Sequence, residues 1–187
     1  MKRVEDPYSY FRHMDPRSVH KRLLTSYTEL LLGSGSPRRR QLLEGIGWPI
    51  QVLRKDVPEV PPGHLQGAEV ALHLAEFKAM AFDEALAAGQ LLLTADTIVW
   101  QDGHVLGKPV DRADAVRILD RLQGNRHQVF TGVCLSLLGK RYCFSVETNV
   151  TFRPLSSSEI ETYIDEYQPY DKAGAYGAQE CLPKNMN

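Results

Sequence analysis

The mostly apolar run Leu91–Trp100 constrains the fold of this chain more than any other segment. Continuous apolar strands are typical of sheets covered on both faces, whereas strands with one wet face alternate between apolar and polar residues. The run therefore predicts an inner strand. It also holds Asp96, and a buried carboxylate is costly unless it is ion-paired, metal-bound or protonated. Asp96 is either a metal ligand or general base at a strand end, or a structural residue that caps a turn or pairs with an arginine.

Strands and helices alternate along the first part of the chain, and a strand hairpin follows. This order is typical of an α/β domain built around a mixed sheet. The apolar periodicity and the turn residues predict strands at 30–33, 50–53, 91–100, 129–138 and 143–153, and helices at 37–43, 68–88, 112–123 and 156–167. Asp111 and the pair Ser156 and Glu159 predict the N-caps of the last two helices, and Asp102-Gly103 predicts a hairpin turn.

The segment Ser34–Arg40 follows the first strand and begins a helix. Ser36 suits the N-cap position, and the proline after it suits the first helical position. Three arginines then occupy the first turn, although this end of a helix carries partial positive charge and each cation there costs roughly a few tenths of a kcal/mol. Backbone N–H groups and guanidinium groups together bind phosphate well. The segment therefore indicates a phosphate site, the alternative being a solvated basic helix end.

Three lysines stand in settings that suit phosphate. Lys108 lies between a glycine and a proline that fix the shape of its loop, and Lys172 lies in a loop whose glycines let a ligand approach the backbone. Lys78 interrupts the apolar face of the helix at 68–88, where its side chain either extends along the surface or reaches inward to a phosphate. For the two loop lysines, solvated surface positions are the alternative.

Two further polar residues are candidates for a site. Glu59 lies in the proline-rich loop 56–63 and is a candidate second carboxylate for a metal, although most loop glutamates are simply solvated. Gln179 carries both a donor and an acceptor, which suits it to the edge of a nucleobase. His127 has no cysteine or histidine partner at the spacing of metal ligands, and we interpret it as structural.

Composition argues against several classes of protein. The chain has 22 Lys and Arg residues and 23 Asp and Glu residues. It therefore lacks the net positive charge that is typical of nucleic-acid-binding proteins. No run approaches the roughly 20 apolar residues of a membrane span, and residues 1–27 lack the apolar centre of a secretory signal. Cys134, Cys143 and Cys181 lack metal-ligand spacing and indicate reduced thiols, the first two as small core residues. We therefore expect a cytoplasmic protein with no nucleic-acid or membrane partner.

Four segments, in this order along the chain, resemble the motifs of one family. They are Ser34–Arg39, Thr94–Val99 with Gly107–Pro109, His127–Val133, and Asp171–Gln179. Together they resemble the Maf family of nucleoside triphosphate pyrophosphatases, once named septum formation proteins, over about residues 30–179. The resemblance implies a single elongated α/β domain of the Maf and ITPase-like type. Such a domain has a mixed twisted sheet flanked by helices and a central nucleotide cleft, and it often forms a homodimer.

The resemblance also implies hydrolysis of a nucleoside triphosphate to the monophosphate and pyrophosphate with a divalent cation, Mg²⁺ or Mn²⁺. Asp96 would act as the base and, with Glu59, would hold the metal. The residues implied to bind the triphosphate are Ser34, Arg38, Arg39, Lys78, Lys108 and Lys172.

Base choice is implied by three positions in the motifs. Arg38, Thr97 and Gln179 stand where the subgroup acting on dTTP and UTP has these residue types. The subgroup that prefers methylated GTP has Trp and Gln at the first two positions. The implied substrates are therefore dTTP and UTP.

Two departures from the family pattern bear on the domain boundaries. Residues 1–27 form a longer N-terminal extension than usual, which we interpret as loosely ordered, and residues 28–187 form the Maf-like domain. The sequence diverges after Gln179-Glu180 and ends at Asn187, where family members continue with a segment that contains Gly-Ser-Tyr. We therefore expect a domain shortened at its C-terminus.

Two other functions remain open at this point. One is a non-catalytic nucleotide-binding regulator related to cell division, in which the shortened end leaves binding without turnover. The other is a house-cleaning pyrophosphatase for modified or purine nucleotides. Pyrophosphate release from dTTP separates the first alternative from the implied function, and a panel of nucleotides separates the second.

Overall fold

The computed structural model describes residues 27, 29–45, 50–137 and 140–177. Its strands are β1 (Glu29–Gly33), β2 (Ile50–Leu53), β3 (Gln90–Gln101), β4 (His104–Leu106), β5 (Arg126–Leu137) and β6 (Lys140–Thr151). Its α-helices are α1 (Pro37–Glu44), α2 (Ala68–Met80), α3 (Arg112–Leu122) and α4 (Ser157–Tyr167), and 3₁₀ turns lie at Asp83–Ala85, Pro169–Asp171 and Ala173–Ala175. Within these described residues, no helix combines the length and apolar character that crossing a membrane requires.

The strands form one mixed sheet. Their order is β2-β1-β3-β5-β6, and β4 is added to β3. β1 runs parallel to β2 and to β3, which aligns Leu30 with Ile50 on one side and with Leu91 on the other. β4 is antiparallel to β3. The expectation of an α/β fold with a mixed sheet flanked by helices is therefore confirmed.

The chain divides into two compact units. Unit 1 contains the described residues up to Gly63 together with Ala71–Asp96 and Gly132–Ser145. Unit 2 contains His64–Val70, Thr97–Thr131 and the described residues from Val146 onward. β3, β5 and β6 contribute residues to both units. The predicted boundary between an extension at 1–27 and a domain at 28–187, and the predicted change near the C-terminus, fall largely on residues outside the described chain and stay predictions.

Small side chains let α2 pack closely against the sheet. Ala71, Ala75 and Ala79 are spaced by one helical turn and are all fully buried. Thr94 of β3 donates its hydroxyl to the Ala75 carbonyl at 2.7 Å. Gly132 of β5 faces the Ala71 carbonyl with no room for a side chain. The close approach brings the last turn of α2 against β3.

Each unit has its own apolar core. Each fully buried leucine in these cores contributes about 2 kcal/mol of stability. In unit 1 the cluster contains Leu31, Ala75, Ala79, Phe82, Leu86, Leu92 and Cys134. In unit 2 one cluster contains Ala115, Leu119, Ile160, Tyr163, Ile164 and Ala175, and another contains Val99, Leu106 and Leu122.

The predicted end of the second helix at residue 88 is wrong, because α2 ends at Met80. The Phe82 N–H bonds the Ala79 carbonyl at 3.0 Å, which tightens the chain into a turn of the 3₁₀ type. Phe82 is thereby buried in the unit 1 core. The alanines between 85 and 88 favour a helix locally, and burial of the phenylalanine overrides that preference.

The predicted caps and turns are largely confirmed. Asp111 caps α3 by accepting the Asp114 N–H at 2.7 Å, and Ser156 begins α4 with a reciprocal capping box. Asp102 and Gly103 both have positive φ and form the tight turn between β3 and β4. The strands β5 and β6 each begin a few residues before the predicted positions, at 126 and 140.

A disulfide joins Cys134 of β5 to Cys143 of β6, so the expectation that both residues carry free thiols is wrong. The neighbouring strands bring the two Cα atoms to 4.1 Å, a cross-strand distance that sequence spacing does not reveal. Cys134 is fully buried in the unit 1 core, as predicted. Cys181 lies outside the described residues.

Replacing Gly132 with alanine should destabilise the protein by about 3 kcal/mol, measured by urea unfolding. The added methyl group would overlap backbone atoms of Ala71 and Leu72, which cannot move without shifting α2. Gly63→Ala is the matched control, since its methyl group would meet nothing within 4 Å, and it should stay within about 0.5 kcal/mol of wild type. Equal midpoints for the two variants would contradict the close packing of α2.

Candidate functional site

The turn after β1 is closed by a serine side chain. Ser34 Oγ accepts a hydrogen bond from Arg39 Nη1 at 3.0 Å and another from the Ser36 N–H at 3.3 Å. Ser36 is the N-cap residue of α1 and Pro37 follows it, as predicted, but the Ser36 side chain makes no capping bond. The guanidinium of Arg39, in the first turn of α1, is therefore hydrogen-bonded to the Ser34 side chain.

Arg39 lies in an acidic environment. Burial lowers the pKa of its guanidinium, and the negative charges of Asp96 and Glu59 oppose that effect. Arginine keeps its proton in proteins, so Arg39 remains a cation in this setting. The structure therefore brings Arg39 into electrostatic contact with both predicted metal ligands.

Lys78 joins the two carboxylates. Its ammonium lies 2.6 Å from Glu59 Oε1 and also donates to Asp96 Oδ1. The side chains of Lys78 and Asp96 are 14% and 10% exposed, whereas that of Glu59 is 45% exposed. Asp96 is thus a nearly buried carboxylate neutralised by an ion pair, and Lys78 reaches inward from its helix rather than along the surface.

The positions of these groups follow from the periods of helix and strand. Thr94 and Asp96 are two residues apart on β3 and therefore point to the same face. Ala75 and Lys78 are three residues apart on α2 and share one side of the helix. The hydrogen bond from Thr94 to the Ala75 carbonyl aligns the two elements, and the ion pair between Asp96 and Lys78 follows one step further along both.

A cavity of about 430 Å³ opens at the same turn. Its lining contains the Ser34–Pro37 segment together with Arg40, Val52 and Arg54. Neither Arg40 nor Arg54 was an individual candidate from the sequence. The signal for Arg54 was its place directly after β2, since β1 and β2 are parallel and their carboxyl ends lie side by side.

In unit 2, a backbone hydrogen bond connects the two lysine loops. The Gly174 N–H donates to the Gly107 carbonyl at 3.0 Å, which ties the loop of Lys172 to the loop of Lys108. Gly174 has a φ of 71°, and a side chain there would meet Val99. The structure therefore brings together two predicted phosphate-binding loops.

An aromatic cluster of His127, Phe152 and Tyr176 fixes the chain a few residues after Lys172. His127 is 2% exposed, and its Nε2 lies 2.8 Å from the Tyr176 hydroxyl. The rings of His127, Phe152 and Tyr176 meet edge to face at centroid distances of 4.9–5.5 Å. Burial lowers the pKa of His127 and raises the pKa of Tyr176 to about 12. Both groups are therefore neutral at pH 7, in agreement with a structural role for His127.

The residues predicted to choose the base are not all described. The Thr97 hydroxyl lies 3.1 Å from the Thr131 hydroxyl in unit 2. Arg38 is exposed on the first turn of α1. Gln179 lies outside the described residues, so the prediction for it stays a prediction.

A divalent cation fits the donors of unit 1 only in part. Among the described residues, no group of three or more His, Cys, Asp or Glu side chains is placed to hold a metal ion. Asp96 and Glu59 offer two carboxylates, and both are ion-paired to the ammonium of Lys78. Two carboxylates completed by substrate phosphates and water are an ordinary Mg²⁺ environment.

His127 should make the stability of the protein depend on pH. Its pKa is lowered on folding from an ordinary value of 6.5, so the unfolded chain takes up a proton first as the pH falls. Stability present above about pH 6.5 is therefore lost below it, by at most about 1.4 kcal/mol per pH unit. Urea unfolding at several pH values should show a flatter dependence for His127→Gln than for wild type. The exposed His64→Gln variant should keep the wild-type dependence, and an unchanged dependence in His127→Gln would contradict this assignment.

Comparison with known proteins gives one consistent match. The family model described as Maf-like protein matches residues 29–184. A Bacteroides fragilis protein named dTTP/UTP pyrophosphatase is 47% identical over 157 residues, which cover 82% of this chain and 80% of the relative. A Bacteroides thetaiotaomicron protein of the same name is 48% identical over 156 residues, with the same shares of both chains.

One solved structure illustrates a weaker likeness. The Ham1 protein of Staphylococcus aureus is 16% identical, with a TM-score of 0.44 over 65% of this chain and 70% of that chain. This likeness adds nothing to the assignment. The match of the family model and the identity to the curated relatives are sufficient by themselves, and the chain belongs to the Maf family.

Proposed function

We propose that this chain is a nucleoside triphosphate pyrophosphatase that hydrolyses dTTP and UTP to the monophosphate and pyrophosphate. The names of the curated relatives support this activity. The observation that carries it is the nearly buried Asp96 carboxylate, ion-paired to Lys78 and facing the charge of Arg39. Cations arranged around a fixed carboxylate suit phosphoryl chemistry, in which positioning and electrostatics supply most of the catalysis.

The cations bind the triphosphate. Arg39 and Lys78 lie beside the carboxylates, and Ser34 and the first backbone N–H groups of α1 add hydrogen-bond donors. Arg38 extends from the same turn. By their positions in the family motifs, we propose that Lys108 and Lys172 also bind phosphate. These groups orient the substrate and stabilise charge that develops on the leaving pyrophosphate.

Asp96 acts as the general base. It accepts a proton from water as the water oxygen bonds to the α-phosphorus, and the bond from that phosphorus to the bridging oxygen breaks. The pyrophosphate leaves with the bridging oxygen. The carboxylate is available for this step without reorganisation of the chain, because β3 fixes its position.

We propose Mg²⁺ or Mn²⁺ as the cofactor, held by Asp96 and Glu59. Hard cations prefer carboxylate and phosphate oxygens, and these two residues supply the first kind. When bound, such a cation neutralises phosphate charge and lowers the pKa of the attacking water. Lys78 and Arg39 provide the remaining positive charge.

The oligomeric state, the cellular location and the absence of a nucleic-acid partner are also proposals. The resemblance to the family supports a homodimer, and light scattering of the purified protein would measure it. A cytoplasmic location was expected partly from reduced thiols, and the disulfide between Cys134 and Cys143 removes that support. The balanced composition continues to argue against a nucleic-acid partner.

Asp96→Asn should lower the turnover of dTTP by about 10²–10⁴-fold, because the amide cannot accept the proton from water. The variant should lose stability but stay folded, since the amide has nearly the shape of the carboxylate and Lys78 keeps Glu59 as a partner. Pyrophosphate release measures the rate, and thermal unfolding checks the fold. Asp120→Asn, an exposed carboxylate on α3, is the matched control and should keep wild-type turnover. Near-normal turnover in folded Asp96→Asn would contradict the proposed role.

The wild-type enzyme should prefer dTTP and UTP to ATP and GTP. A site that hydrogen-bonds the imide edge of thymine or uracil leaves polar groups unpaired with other bases. Gln179→Ala should therefore reduce this preference more than it weakens phosphate binding, whereas Arg38→Ala should affect both. The measurement compares specificity constants for dTTP, UTP, CTP, ATP, GTP and 7-methyl-GTP. A wild-type preference for purines, or an unchanged ratio in Gln179→Ala, would overturn the base assignment.

A further inference from the structure

The ammonium of Lys78 occupies the position between the two proposed metal ligands. It lies 2.6 Å from Glu59 Oε1 and donates at the same time to Asp96 Oδ1. The Lys78 side chain as a whole is only 14% exposed. Any other cation that used both carboxylates would have to share this position or replace the ammonium.

The charges of the cluster balance without a metal. Arg39 and Lys78 carry two positive charges, and Glu59 and Asp96 carry two negative charges. A divalent cation added to this neutral cluster would meet two nearby cations. The same ion would be attracted if Lys78 left, because the three remaining groups have a net charge of −1.

The Lys78 side chain can exchange its carboxylate partners for phosphate oxygens. It stands in the last turn of α2, where the helix dipole favours a cation, and its four-carbon side chain can turn about several bonds. A triphosphate offers phosphate oxygens in place of the carboxylate oxygens. Because the described residues supply only two carboxylates, a metal ion there also needs phosphate oxygens to complete its ligands.

We propose that Lys78 holds the cation position between Glu59 and Asp96 in the nucleotide-free protein and moves onto the triphosphate when the nucleotide binds. Oxygens of both carboxylates that the ammonium had occupied can then coordinate a divalent cation. The protein therefore selects the metal–nucleotide complex as its substrate and binds the bare metal weakly. This inference rests on the proposed function, because it needs a triphosphate at the site.

Mn²⁺ binding to the full chain tests the proposal without catalysis. The bound ion is measured by electron paramagnetic resonance in the absence of nucleotide. Lys78→Met should bind Mn²⁺ about tenfold more tightly than wild type, within the usual range of couplings between sites. Unchanged or weaker binding by the folded variant would overturn the proposal. Lys78→Gln provides a second neutral side chain if the first variant does not fold, and its result is judged in the same way.

Two matched controls distinguish the effect of the ammonium's position between the carboxylates from the effect of removing a positive charge. Arg39→Gln removes one positive charge from the same cluster but leaves the ammonium on both carboxylates. It should raise Mn²⁺ affinity much less than Lys78→Met, and an equal rise would overturn the proposal. Lys140→Met removes an exposed charge at the start of β6 and should leave Mn²⁺ affinity at the wild-type value. A rise there as large as in Lys78→Met would also count against the proposal.

A further measurement compares nucleotide binding with and without Mn²⁺ in wild type and in Lys78→Met. Its probe is a dTTP analogue with a methylene group between the α- and β-phosphorus atoms. Mn²⁺ should tighten its binding by about tenfold, and the coupling should shrink in Lys78→Met. Tight Mn²⁺ binding by the nucleotide-free wild type would overturn the proposal. The failure of the proposed function is a separate result, since it would appear as no pyrophosphate release from dTTP, whatever Mn²⁺ does.

Discussion

The ion pair between Asp96 and Lys78 is the constraint on which the rest of unit 1 depends. A carboxylate inside a buried strand needs a cation, and removing one member of such a pair costs about 3–5 kcal/mol. The ammonium can reach Asp96 only if α2 lies close to β3. The alanines at 71, 75 and 79 and the glycine at 132 permit that approach. Uncharged packing residues thus determine where the charged groups stand.

Much of this arrangement could be predicted from the sequence, because it depends on local patterns. The continuous apolar run predicted β3, and the charge within it indicated that Asp96 needs a partner. The capping residues Asp111 and Ser156 predicted where two helices begin. Lys78 was a candidate because it interrupts an apolar helix face. These signals are readable since each depends on residues within a few positions of one another.

Other features depend on contacts between distant segments and were not predicted. α2 ends at Met80 because Phe82 is buried in the core, although the following alanines favour a helix. The disulfide between Cys134 and Cys143 depends on how β5 lies beside β6. The bond that ties the Lys108 loop to the Lys172 loop joins two backbone groups, which leave no trace in residue type. The partner of Asp96 was also not predictable from the sequence, since Lys78 was only one of several cations that could have paired with it.

Charge balance links the folded structure to the chemistry we propose. Arg39 and Lys78 would repel each other if they stood alone, and Glu59 and Asp96 would do the same. Interleaving them gives a neutral cluster that the folded chain can hold without a ligand. In the reaction we propose, a triphosphate brings the negative charge that the cations then bind, and Lys78 leaves the two carboxylates. The same four groups can therefore stabilise the resting protein and, after exchanging partners, form a catalytic site, because each carboxylate is paired to a cation that phosphate also attracts.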